Sequence, residues 1–125
     1  MQSHMGFIKN YEADGLINKN RLITFGSEEG HMAVASVGDV LVGTSGIRGA
    51  AAAGDRIDVY HDQIRPVEYG AGVAYGDPLT ADANGCAIKA EPAVDASLPI
   101  IGRAMEAGGV GTIGSVFIQP SILYG

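Results

Sequence analysis

The residues with the greatest chemical potential in this chain are His61 and Asp62, close to Asp58. A histidine beside carboxylates is what a general base with its orienting acid, or a small metal site, would need. In an extended segment, however, Asp58, Tyr60 and Asp62 share one face while Val59 and His61 share the other, so the groups do not converge. His31 stands alone beside a turn, and Glu28-Glu29 on that turn reads as solvated charge. Gly109-Val110-Gly111-Thr112-Ile113-Gly114 spells the dinucleotide fingerprint G-x-G-x-x-G. That fingerprint works only between a strand and a helix N-terminus, where amide donors meet pyrophosphate. Here it runs into Ser115-Val116-Phe117-Ile118-Gln119-Pro120, a strand that ends in proline.

None of Lys9, Lys19 or Lys89 follows a glycine, so a phosphate-binding loop lacks its lysine. There is no G-x-S-x-G elbow to expose a nucleophilic serine. Cys86 is the single cysteine, which excludes both an intrachain disulfide and a multi-thiolate metal site. These residues assign no catalytic role, no cofactor-binding residue and no metal ligand, and a non-enzymatic protein is expected.

The elements that would have to position any chemistry are short and β-like. Nineteen glycines, five prolines and no tryptophan among 125 residues suit strands joined by tight connections around a Val, Ile, Leu and Ala core. Strand patterns begin at Leu22–Phe25, resume at Met32–Val37 and Val40–Val42, and alternate through Ile57–Tyr60 and Gln63–Tyr69. Ala50–Ala53 could form one short helical turn. After a corner at Tyr75-Gly76-Asp77-Pro78 come Leu79–Ala81, Ala87–Ala90, Ile100-Ile101 and Ser115–Ile118.

The second half echoes the first. Ile23-Thr24-Phe25, a turn at Gly30 and Met32–Ala35 parallel Leu79–Ala81, a turn at Gly85 and Ala87–Ala90. Gly43 to Ile57 and Gly102 to Val116 have the same spacing. The expected architecture is all-β, a small β-sandwich or barrel over residues 21–125, with two similar units at 21–67 and 76–120. Residues 1–20 read as an extended N-terminal arm carrying Phe7, Ile8, Tyr11, Leu16 and Ile17. Within that arm, residues 1–5 resemble an expression-vector remnant, with either Met5 or Met1 as the native start. No signal peptide or membrane-length apolar run is expected.

Charge narrows the partners. Fourteen acids face eight bases, for a formal charge of −6. Through residue 21 the bases Lys9, Lys19 and Arg21 outnumber Glu12 and Asp14, whereas the rest of the chain holds five bases against twelve acids. An acidic body repels polyphosphate, so nucleic acid is a disfavoured partner.

The run from Gly72 to Ile118 resembles a family of small tailed-phage proteins, long catalogued as a domain of unknown function, sometimes mislabelled phage recombinase, and read as capsid decoration or cement proteins. The shared features are Gly76-Asp77-Pro78-Leu79, a turn ending at Asn84-Gly85, Ile100-Ile101-Gly102-Arg103-Ala104 and the closing strand Val116-Phe117-Ile118. The chain departs from the family pattern in its arm and in the tail Ser121–Gly125.

The resemblance implies a minor capsid protein on the outer surface of the virion that stabilises the expanded head by bridging subunits of the major capsid protein. It also implies a homotrimer rather than a dimer. The apolar arm residues Phe7, Ile8, Tyr11, Leu16 and Ile17 either pack on their own domain or reach outward, and the expectation is that they contact the capsid or a neighbour, although the family gives no contact details for the arm. Ile122, Leu123 and Tyr124, apolar residues near the terminus, make inter-subunit contacts. Two alternatives stay open on the residues alone: a small β-barrel that binds a ligand or carbohydrate, or a tail or baseplate component.

Overall fold

A computed structural model describes residues 8–125, and its ten strands carry no helix between them. They are β1 (Ile8–Ala13), β2 (Leu22–Phe25), β3 (His31–Val34), β4 (Gly43–Ser45) and β5 (Arg56–Tyr60), then β6 (Gln63–Glu68), β7 (Pro78–Ala81), β8 (Ala87–Lys89), β9 (Ser97–Ala104) and β10 (Ile113–Tyr124). The first five close into a barrel in the order β1-β3-β2-β4-β5, and the second five form a sheet in the order β6-β10-β9-β7-β8. The all-β expectation holds. The segment expected to make a helical turn is instead a bridge from Ala50 to Ile17 followed by a turn through Gly54.

The two sets of strands have the same pairing. β1 lies antiparallel to β5 and parallel to β3, with Glu12 opposite His31 and Ala13 opposite Met32. In the second unit β6 lies antiparallel to β10, and a single parallel bridge from Tyr69 to Ala87 stands where β1 meets β3. The pairs Ile23–Gly43 and Thr44–Tyr60 recur as Leu79–Gly102 and Arg103–Phe117. Even the isolated bridge Ile17–Ala50 has its counterpart in Val73–Gly108.

The repeat therefore begins at Ile8. What reads in sequence as an arm is, from Ile8 onward, the first strand of the first unit and the loop that follows it. Gln63–Glu68 likewise opens the second unit instead of closing the first. Phe7 and the residues before it lie outside the described part of the chain.

Two glycines occupy equivalent places for one reason. A Cβ on Gly43 would run into the carbonyl oxygen of Tyr60, and one on Gly102 into that of Phe117. Both strands must pass so close to their neighbour that only hydrogen fits. At Gly102 the backbone is also at φ 152°, and just beyond it two residues of β10, Gln119 and Pro120, stand opposite one residue of β9. That bulge accommodates a proline, which cannot donate to the ladder.

The core is continuous across the units. Leu22, Ala35 and Leu41 of the first unit pack with Val67, Tyr69, Leu79, Ile101, Val116 and Ile118 of the second. Backbone bonds join the units directly: Leu22 donates to the Gly85 carbonyl and Glu68 to that of Asn20. A separate core, including Ile17, Ile23, Met32, Ile57 and Val59, fills the first barrel.

The repeats solve one packing problem in opposite ways. Ala13 and Ile57 of the first unit correspond to Tyr69 and Gly114 of the second. The Tyr69 ring is fully buried, and a Cβ on Gly114 would fall onto it. Its hydroxyl donates to the Glu106 carbonyl at 2.8 Å, so the phenol is not left unpaired. A large residue on the first strand thus requires a small one on the last.

Tyr69→Ala should cost roughly 3–5 kcal/mol in urea unfolding through the cavity it opens. Gly114→Ile should also destabilise the intact core, whereas adding it to Tyr69→Ala should restore about 1–2 kcal/mol by refilling the space. Purely additive losses in this double-mutant cycle would contradict the pairing.

Candidate interaction surfaces

Outward-facing residues of the two equivalent ladders carry different chemistry. On β1 and β5 they are Ile8, Asn10 and Glu12 opposite Tyr60, Asp58 and Arg56. On β6 and β10 they are Ile64, Pro66 and Glu68 opposite Phe117, Ser115 and Ile113. The first set is mostly polar and internally bonded: Arg56 Nε donates to Asn10 Oδ1 at 2.6 Å, and Asn10 Nδ2 to Asp58 Oδ1 at 3.0 Å. The second set is mostly apolar. Ile64 is 52% exposed, and Phe117 and Ile113 are each 43% exposed. Ile64 and Phe117 are direct cross-strand partners with Pro66 on the same face, and Ile113 stands opposite Glu68 at the other end of the ladder, so the apolar side chains line one face of it.

The second unit has an addition that the first lacks. Beyond the bulge, Ser121, Ile122, Leu123 and Tyr124 pair with Ile100, Pro99, Leu98 and Ser97. The β6 partner of β10 ends opposite Ile118, so among the described residues this stretch is a two-stranded ribbon with no strand on the outer edge of β10. Ile122 and Tyr124 are exposed and Leu123 is half-buried. A two-stranded ribbon gains little stability by itself, and an uncovered strand edge is a template for further pairing.

The residues expected to make contacts are thus distributed differently. Ile8 and Leu16 are exposed, the latter at 61%. Tyr11 is half-buried, with its hydroxyl 2.8 Å from His61 Nε2 and its ring edge-on to the imidazole. Ile17 is fully buried in the first barrel, so its role there is packing. Phe7 lies outside the described residues. Ile122–Tyr124 are not a loose tail but the end of a strand. Ile64, Ile113 and Phe117 were not singled out from sequence as surface residues. The signal that could have found them is the match of Ile8-Lys9-x-x-Glu12 to Ile64-Arg65-x-x-Glu68.

The chemically capable side chains are held by or buried among their neighbours. His61 Nδ1 lies 2.7 Å from the Val42 carbonyl, which with Tyr11 fixes its ring. Cys86 is buried, and that burial pushes its thiol above the ordinary value. Among the described residues no group of three or more His, Cys, Asp or Glu is arranged to hold a metal ion.

A comparison with solved structures gives this architecture a counterpart. The fold resembles that of a phage head-fibre base. The N base of head fibre protein gp8.5 of bacteriophage phi29 superposes with a TM-score of 0.70, covering 90% of this chain and 93% of that one at 17% identity. No family model matches the chain, and no curated protein sequence does.

His31 is not alone. Its Nδ1 lies 2.9 Å from Asp14 Oδ1, and its Nε2 lies 3.5 Å from Glu28 and 3.8 Å from Glu12. Glu12 is also its register partner in the parallel β1–β3 seam, so the cluster sits on the closure of the first barrel. The hydrogen bond to Asp14 raises the imidazole above its ordinary value despite desolvation, with Glu12 and Glu28 adding to the effect. The same bond holds the Asp14 carboxyl below its usual range.

The histidine contribution is complete below the unfolded-state value near 6.5 and is lost as pH rises through the higher folded value. The Asp14 contribution is complete above about pH 4 and is lost as pH falls through its lowered folded value. Denaturant titrations should show stability falling from about pH 6.5 upward, with His31→Asn removing that slope. An unchanged alkaline slope in the variant would refute the assignment.

Proposed function

We propose that this chain is a structural protein of a tailed-phage head that attaches to the outer surface of the capsid and bridges its subunits. The observation that carries the reading is an apolar outer ladder, Ile64, Pro66, Ile113 and Phe117, on a fold shared with a head-fibre base. The equivalent ladder of the first unit is mostly polar, so the fold itself does not demand these apolar side chains. Their exposure in the isolated chain costs solvation that a protein partner would relieve. The acidic body around them keeps decorated particles apart by mutual repulsion.

The ribbon supports a second contact, between copies of this chain. An uncovered β10 edge offers backbone donors and acceptors, while Ile122 and Tyr124 offer apolar surface. Self-association through the ribbon fits the homotrimer that the family resemblance implies. Capsid contact and self-contact then use separate parts of the second unit, so a bound oligomer can span several capsid subunits.

Cosedimentation with expanded, undecorated heads tests the attachment. Saturable binding at a fixed ratio to the major capsid protein is expected. Burial of one large apolar side chain is worth roughly 1.5–3 kcal/mol, so Phe117→Asp should weaken binding about tenfold or more while leaving the fold intact. No binding to matched heads would overturn the proposal.

Deleting residues 121–125 should leave both five-stranded units folded, because the β6 pairing ends at Ile118. The deletion should reduce the mass found by light scattering. An unchanged oligomer would remove the ribbon from the interface.

A further inference from the structure

The first unit carries a cleft over the outer side of β5, with a volume of about 510 Å3. Its floor is Asn10, Arg56, Asp58 and Tyr60, and its wall is the loop from Gly46 to Ala51, which presents Ile47 and Arg48. The volume lies within the range of small-ligand sites, roughly 300–1,000 Å3.

The floor is organised without a ligand. Arg56 orients Asn10, and Asn10 orients Asp58, through the two hydrogen bonds described above. The Arg65 guanidinium lies over the Tyr60 ring at 3.6 Å from its centroid, and Gly46 packs so closely against that ring that a Cβ would meet it. The wall is held as well: the Asp55 carboxylate accepts from the amides of Ala51 and Ala52, each at 3.1 Å. The geometry is therefore set before anything binds, which limits the ordering cost of association.

The chemistry of the cleft selects a class of ligand. Arg48 and Arg56 are balanced by Asp55 and Asp58, so neither an anion nor a cation is favoured overall. After the internal bonds are made, Asp58 retains an acceptor oxygen, while Asn10 and Arg56 retain donor hydrogens. A neighbouring acceptor and donor suit adjacent hydroxyl groups, each of which both gives and takes a hydrogen bond. Ile47, 78% exposed at the rim, supplies an apolar contact for C–H faces.

The second unit shows that the fold does not impose this array. At the positions of Asn10, Asp58 and Arg56 it has Pro66, Ser115 and Ile113. We propose that the cleft is a saccharide-binding site that takes a neutral hexose unit of a glycan. This site does not rest on capsid attachment, since it lies on the other unit.

The test is an array of immobilised oligosaccharides of glucose, galactose, mannose and N-acetylglucosamine, probed with the labelled full chain. Retention of at least one hexose glycan is expected. Asp58→Ala and Asn10→Ala, each verified as folded by circular dichroism and thermal melting, should lower that retention about tenfold, because each removes hydrogen bonds at the floor. Phe117→Asp, which alters the opposite unit, should bind glycans as the parent does. Absence of any retained glycan would overturn the site. So would retention that survives both floor substitutions, or retention that is lost only with Phe117→Asp. Cosedimentation with heads reads the other unit and can succeed or fail independently.

Discussion

Each five-stranded unit depends on its first strand reaching two partners at once, the fifth strand antiparallel and the third strand parallel. In the first unit that double contact closes a barrel and leaves it without an open edge, at the expense of a very short parallel seam. The seam holds only two register pairs, one of them Glu12 with His31. When His31 is protonated, its charge among three carboxylates adds attraction at that seam, where few backbone bonds are available. In the second unit the equivalent seam is a single bridge at Tyr69, and the large buried ring anchors it in place of charge.

Joining the two units through a common core changes what each is free to do. Residues of β2 and of the stretch before β4 help bury the second unit, so neither half is packed in isolation. With inner faces committed, variation is confined to outer ladders, loops and the ribbon. The apolar ladder and the polar cleft are two outcomes of that confinement on one backbone plan. The proposed head-surface role would use the first, and the proposed recognition of a sugar the second.

Much of the strand pattern was legible because alternation and glycine turns are local signals. Leu22–Phe25, Ile57–Tyr60 and the turns at Gly30 and Gly85 read directly from side-chain periodicity. The echo between halves is visible too, but equal spacing alone sets its phase wrongly at one point. Val59, not Ile57, is the counterpart of Val116, because the connection between β4 and β5 is two residues longer than that between β9 and β10. The first strand was harder to see, since Ile8-Lys9-Asn10-Tyr11-Glu12 offers few β-branched residues and has only Ala13 fully buried. Its strand character comes from partners distant in sequence. The polar cluster at His31 was invisible for the same reason, because Asp14 and Glu12 approach it across the parallel seam.

The extra residue in β10 has an effect beyond accommodating Pro120. Ahead of it the buried positions are Gly114, Val116 and Ile118, all even; beyond it Leu123 is the more buried residue, and Ile122 and Tyr124 stand exposed. The strand has changed phase by one step. Had the pairing continued unbroken, Ile122 and Tyr124 would fall in the inward phase of the second sheet and Leu123 in the outward one. A single inserted position therefore acts as a selector for which side chains the molecule displays at its far end, and insertions or deletions there would rewrite that display without touching either core.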